Sequence, residues 1–158
     1  MSVEIERKFL VVSPPWQPDV TRCQLIEQGY LNIDPRSTVR IRTAAEGKHL
    51  SAFITIKGKA LGLVRSEFEY PIPHDDAIEM IRSMCLVKLA KRRWFVRHGD
   101  HEWHVDEFMG ENQGLVVAEI ELGHELETFD RPSWIGDEVT DDHRYANANL
   151  AVNPHRFW

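Results

Sequence analysis

Glu4-Ile5-Glu6-Arg7-Lys8 places two carboxylates and an ammonium group on alternate residues near the start of the chain. In a strand, alternate side chains share one face, which sets neighbouring carboxylates about 6.5–7 Å apart. The same period-two charge recurs along the sequence. Arg40 and Arg42 alternate within residues 38–43, and Lys57 closes Phe53-Ile54-Thr55-Ile56-Lys57. Arg65, Glu67 and Glu69 precede Tyr70, Lys91 and Arg93 precede Trp94, and Glu119 and Glu121 flank Ile120. With Asp106 of His104-Val105-Asp106, these faces carry seven bases and seven acids. One such segment is ordinarily the wet face of a sheet. Six together, with like charges repeated at i and i+2, require counter-charges across a cavity or bound ions to offset the repulsion.

The elements that carry these residues read as strands near 3–12, 24–31, 37–44, 50–58, 63–71, 90–98, 101–108 and 115–122. Turn signals at Asp34-Pro35, Glu46-Gly47, Lys59 to Gly62 and Gly99-Asp100 separate several of them. Residues 75–85 have helical apolar spacing with Asp75 and Asp76 at the N-terminal end. A short helix is expected from about His124 to Phe129, stopped by Asp130-Arg131-Pro132. Another is expected after Thr140, with the Thr140 hydroxyl as its cap. Eight short strands joined largely by short connections predict an α+β fold, a closed eight-stranded antiparallel β-barrel with flanking helices. Such a barrel is narrow enough for inward side chains to converge on one small ligand. If the charges face inward, the apolar faces need cover from outside, part of which the helices at 75–85 and 141–151 would supply.

A length of 158 residues predicts a single domain over 1–158, able to bury roughly 70% of its unfolded surface. A hydrophobic fraction of 42%, 28% charged residues and a net charge of −6 describe an ordinary globular chain and argue against nucleic acid held by an overall basic surface. Cys23 and Cys85 are isolated, as reduced thiols of a cytoplasmic protein would be. Early charges leave no room for a signal-peptide apolar core, and no run reaches the roughly 20 apolar residues of a membrane span.

Taken in order, Glu-x-Glu-x-Lys at 4–8, Arg-x-Arg at 40–42, Thr-x-Lys at 55–57, Arg-x-Glu-x-Glu at 65–69, Lys-x-Arg at 91–93 and Glu-x-Glu at 119–121 resemble the elements of the CYTH family, the triphosphate tunnel metalloenzymes. The closing segment 139–151 is similar as well. The resemblance implies a tunnel whose charged interior binds triphosphate with a divalent metal. By that resemblance Lys8, Arg40, Arg42, Lys57, Arg65, Lys91, Arg93 and Arg144 bind substrate, and Glu4, Glu6, Glu67, Glu69, Asp106, Glu119 and Glu121 form the metal-binding side, with Mg²⁺ or Mn²⁺ as the ion. Glu4, Glu6, Lys8 and Tyr30 are the candidate catalytic residues, and Asp106 is alternatively an orienter of Arg93. His143 stands where many members carry Lys or Arg. Arg forks and Lys point charges suit a polyanion, and Mg²⁺ takes phosphate oxygens with one or two carboxylates.

The expected activity is metal-dependent hydrolysis of inorganic triphosphate, extending to nucleoside triphosphates. The alternatives are a class IV-type adenylate cyclase, a thiamine triphosphatase, or a tunnel that binds polyphosphate or nucleotide without turnover. The expected partner is the small-molecule triphosphate, with no nucleic acid and no membrane, on a monomer or a homodimer. Other signals are weak. His101-Glu102-Trp103-His104 lacks zinc-site spacing and alternation sends its two His to opposite faces, while Gly58-Lys59-Ala60-Leu61-Gly62 lacks phosphate-loop spacing.

Overall fold

The computed structural model describes residues 3–13 and 16–158. Its strands are β1 Val3–Val11, β2 Val20–Asp34, β3 Ser37–Glu46, β4 His49–Gly58, β5 Val64–Pro71, β6 Val87–His98, β7 His101–Phe108, β8 Val116–Glu121 and β9 Ile135–Glu138. The helices are α1 His74–Ser83 and α2 Asn147–Val152, with short 3₁₀ turns at Gln17–Asp19, Gly110–Asn112, His143–Tyr145 and His155–Phe157. All neighbouring strands run antiparallel in the order β5-β4-β3-β2-β6-β7-β8-β1. β1 closes the ring: Val3–Ile5 pair with β5 and Glu6–Leu10 pair with β8. The result is the expected closed eight-stranded barrel, α+β in class.

Alternation then sorts each strand into an inner and an outer face. The outer residues Phe9, Val96, Trp103, Val105, Ala118 and Ile120 are buried beneath Trp16, Leu122, Phe129, Trp134 and Ile135, which come from the segments flanking the barrel. On the opposite side, Ala77 and Ile81 of α1 cover Ile41 and Ala52 on the outer face of β3 and β4. Charged residues therefore face inward because apolar cover is available outside.

Several elements depart from the sequence expectation. β2 starts at Val20 and ends at Asp34, extending the expected strand at both ends. β9 was not foreseen: it has one buried residue, Ile135, and joins β1 beyond the β5 pairing. Its Gly136 permits that approach, since a Cβ there would lie 2.3 Å from Val12 Cγ1. No helix forms over 124–129. Leu126 is exposed and only Phe129 turns inward, so the segment has no apolar stripe to bury.

The closing helix is also shorter and differently used. Ala146, with ψ of 135°, separates the 3₁₀ turn at His143–Tyr145 from α2. Thr140 does not cap a helix. Its hydroxyl oxygen accepts from the Lys8 N–H at 3.0 Å and its hydroxyl donates to Glu138. The buried Leu150 of α2 packs among Leu10, Leu89, Phe108, Leu115 and Val117. Leu10, Leu89, Phe108 and Val117 share strand parity with Lys8, Lys91, Asp106 and Glu119, so α2 seals one end of the barrel interior rather than covering its outside.

Candidate active site

Inside the barrel lies a cavity of about 720 Å³. Glu4, Glu6, Lys8, Tyr30, Arg40, Arg42, Lys57, Arg65, Glu67, Glu69, Lys91, Arg93, Glu119 and Glu121 all line it. Register explains the convergence. Glu6 lies opposite Glu121 and Lys8 opposite Glu119 across β1 and β8. Lys57 lies opposite Glu67, Arg40 opposite Thr55, and Tyr30 opposite Arg40.

Two of the expected site residues do not line the cavity. Arg144 is turned out because Asp142 caps the 3₁₀ turn and binds the Arg144 guanidinium at 2.6 Å, which then stacks over Trp158. His143, its neighbour, lines the cavity instead. Asp106 is fully buried behind the wall. One oxygen accepts from Arg93 Nε at 2.7 Å and the other from Lys91 Nζ at 2.5 Å, so this carboxylate orients two bases and leaves no face for a metal ion.

The basic side is organised by these contacts. Burial, against the attraction of Asp106 and with the repulsion of Arg93, pushes the Lys91 ammonium down to about 8. Its second hydrogen-bond partner, after Asp106, is Asn147 Oδ1 of α2 at 3.0 Å. Burial also lowers Arg42, to about 10, with Arg40 adding repulsion. Arg40 and Arg42 reach Glu69 at 3.5 and 3.3 Å, yet the buried Nε–H of each has no acceptor. Guanidinium donors held in a confined wall suit an anion, which takes them as charge-assisted hydrogen bonds.

The acidic side is equally specific. Glu119 is bound by Lys8 at 2.8 Å and Arg93 at 3.0 Å; burial opposes its charge, but these two cations hold it well below the usual carboxylate range. Lys57 links Glu4 and Glu67, at 2.6 and 2.8 Å. Glu121 differs: it is open to the cavity and among the described residues makes no ion pair, and partial desolvation with the nearby charges of Glu4, Glu6 and Glu67, against the attraction of Lys57, pushes its carboxyl up. A cation bound there would relieve that crowding. Among the described residues no three of His, Cys, Asp and Glu form a metal site by themselves. An ion here would therefore share its shell with ligand oxygens and water, as Mg²⁺ habitually does.

Sequence reading missed Gln28, His104, Thr55 and Asn147. Gln28, His104 and Asn147 line the cavity, and Thr55 is buried between Arg40 and Glu69. Gln28, Thr55 and His104 each lie two residues from a residue that was identified, so the same alternation would have found them. Asn147 lies on α2 and carries no such signal. Tyr30 is buried, which raises its hydroxyl despite Arg40 and Lys57.

Comparison with known proteins agrees with this geometry. The CYTH domain model matches residues 2–150. The chain is 40% identical to an inorganic triphosphatase of Acetivibrio thermocellus over 157 residues, covering 99% of this chain and 97% of that protein. It is 31% identical to an inorganic triphosphatase of Nitrosomonas europaea, covering 95% and 97%. The crystal structure of the inorganic triphosphatase NE1496 superimposes with a TM-score of 0.68 at 29% identity, covering 97% of each chain. With its ordered charge pairs on a closed barrel and a family match across nearly its whole length, the chain belongs to the CYTH domain family.

Proposed function

We propose that this protein is an inorganic triphosphatase that acts on triphosphate chelated to Mg²⁺ or Mn²⁺. The observation that carries this reading is the pair of facing deficits in one cavity: buried Arg40 and Arg42 donors without acceptors, and the crowded carboxylate of Glu121. The relatives in Acetivibrio thermocellus and Nitrosomonas europaea, matched over nearly their full length and called inorganic triphosphatases, favour hydrolysis of this anion over cyclisation or passive binding.

Lys8, Arg40, Arg42, Lys57, Lys91 and Arg93 would bind phosphate oxygens, with Arg65 at the start of β5 adding to the grip. Asp106 and Asn147 hold Lys91 in place, and Asp106 also fixes Arg93. Glu4, Glu6, Glu67 and Glu121 would hold the metal, with Glu69 and Glu119 next to them. A bound divalent ion would neutralise phosphate charge and favour in-line attack by water. Tyr30, kept protonated by burial, lines the cavity opposite Arg40. No covalent nucleophile is required. The two cysteines are free and separate, which suits a reducing compartment, and we place the protein in the cytoplasm.

Phosphate and pyrophosphate release from tripolyphosphate, ATP and thiamine triphosphate, each with Mg²⁺, Mn²⁺ or EDTA, tests the reading. Fastest release from tripolyphosphate, abolished by EDTA, is expected. Metal-independent turnover, or cyclic AMP formed from ATP, would overturn it.

A further inference from the structure

Gln28 is a polar side chain of the barrel interior that the charge pattern does not include. It is 1% exposed, lies opposite Arg42 on β3, and lines the cavity. Its Nε2 donates to the Tyr30 hydroxyl at 2.9 Å, whereas its Oε1 is buried without a partner. If the cavity takes an anion, an amide N–H at this position would serve it where a carbonyl oxygen would repel it. Turning the amide by 180° exchanges oxygen and nitrogen without changing its shape. The Tyr30 hydroxyl then donates to Gln28 Oε1, and the two Nε2 protons are free for the cavity. In that arrangement every buried polar atom of the pair has a role once an anion is present.

We infer that Gln28 is a substrate-binding residue whose side-chain amide donates to a phosphate oxygen of the triphosphate while its carbonyl accepts from the Tyr30 hydroxyl. The inference rests on the triphosphate reading of the cavity and extends it by one neutral donor. That donor reads phosphate oxygen without adding charge to a wall where Arg40 and Arg42 already repel each other. It also explains why Tyr30 and Gln28 share a face two residues apart: each fixes the rotor of the other.

The test uses the full-length protein, with Gln28→Met, which keeps the volume and removes both polar atoms, and Gln28→Glu, which keeps an acceptor for Tyr30 but removes the donor. Calorimetric Kd for tripolyphosphate and KM for its hydrolysis are measured beside the unfolding midpoint. Gln28→Met is expected to weaken Kd and raise KM about tenfold or more, the effect of a hydrogen bond to a charged group, and Gln28→Glu more than that. Gln28→Glu also adds a charge that repels the polyanion, so Gln28→Met carries the test, and a Kd within about twofold of wild type in that folded variant would overturn the inference. In a Tyr30→Phe background the loss caused by Gln28→Met should shrink, and full additivity would overturn the link to Tyr30. If wild type binds tripolyphosphate without hydrolysing it, the triphosphatase reading fails while the Kd comparison still decides the role of Gln28.

Discussion

Asp106 shows how much of the site depends on one side chain that never meets the solvent. Its two oxygens hold Lys91 and Arg93, both of them nearly buried. Burial opposes its charge, but those two cations keep the carboxyl below its usual range. Asp106→Asn leaves two buried cations undercompensated and is expected to cost about 3–5 kcal/mol of stability, measured by chemical denaturation. Lys91 carries a pH signature. With its ammonium pushed down to about 8, it loses its charge as pH rises through that value, and KM for tripolyphosphate should rise with it. Stability of the empty protein should move the other way: the unfolded chain keeps the proton up to the ordinary lysine value of 10.5, so stability increases between those two values. Lys91→Met should remove both trends. At this scale the sequence was legible wherever alternation put a charge beside another charge. Asp106 was visible on the right face, but its two roles, orienter or ligand, were separated only by the depth at which the strands buried it. Arg144 was misplaced because the binding of its guanidinium by Asp142 is a property of a tight turn, not of any period.

Among the elements, β1 and α2 do most to shape the cavity. β1 is shared by three neighbours, β5, β8 and β9, and places Glu4, Glu6 and Lys8 where the ring closes. α2 contributes both the apolar stop of Leu150 and the Asn147 contact to Lys91. Leu150→Ala should cost about 2–5 kcal/mol through the cavity it leaves, read as a lower denaturation midpoint. Weakened tripolyphosphate binding should accompany it, because Asn147 is anchored by the same turn of helix. The eight barrel strands were legible because long apolar and charged alternation is a strong local signal. β9 was not, since four residues containing Gly136, Asp137 and Glu138 give almost no pattern. The segment 124–129 has a composition compatible with helix, yet the barrel buries only Phe129 from it, and tertiary packing decides the outcome.

For the molecule as a whole, a chain of net charge −6 encloses an interior lined by both bases and acids, set beside one another across the strands. Most of these charges are paired across strands; among the described residues the buried Nε–H donors of Arg40 and Arg42 and the carboxylate of Glu121 are left over, and these are the groups the proposed triphosphate and its metal would take. The two sets of groups should therefore fail differently. The decisive measurement is calorimetric titration of tripolyphosphate in EDTA, beside turnover in Mg²⁺, for wild type, Arg42→Met and Glu121→Gln. Arg42→Met is expected to lose binding by tenfold or more. Glu121→Gln is expected to bind in EDTA at least as well as wild type and to lose turnover in Mg²⁺. Equal loss of metal-free binding in both variants, or no binding by wild type, would contradict a cavity built from phosphate-binding bases and metal-binding acids.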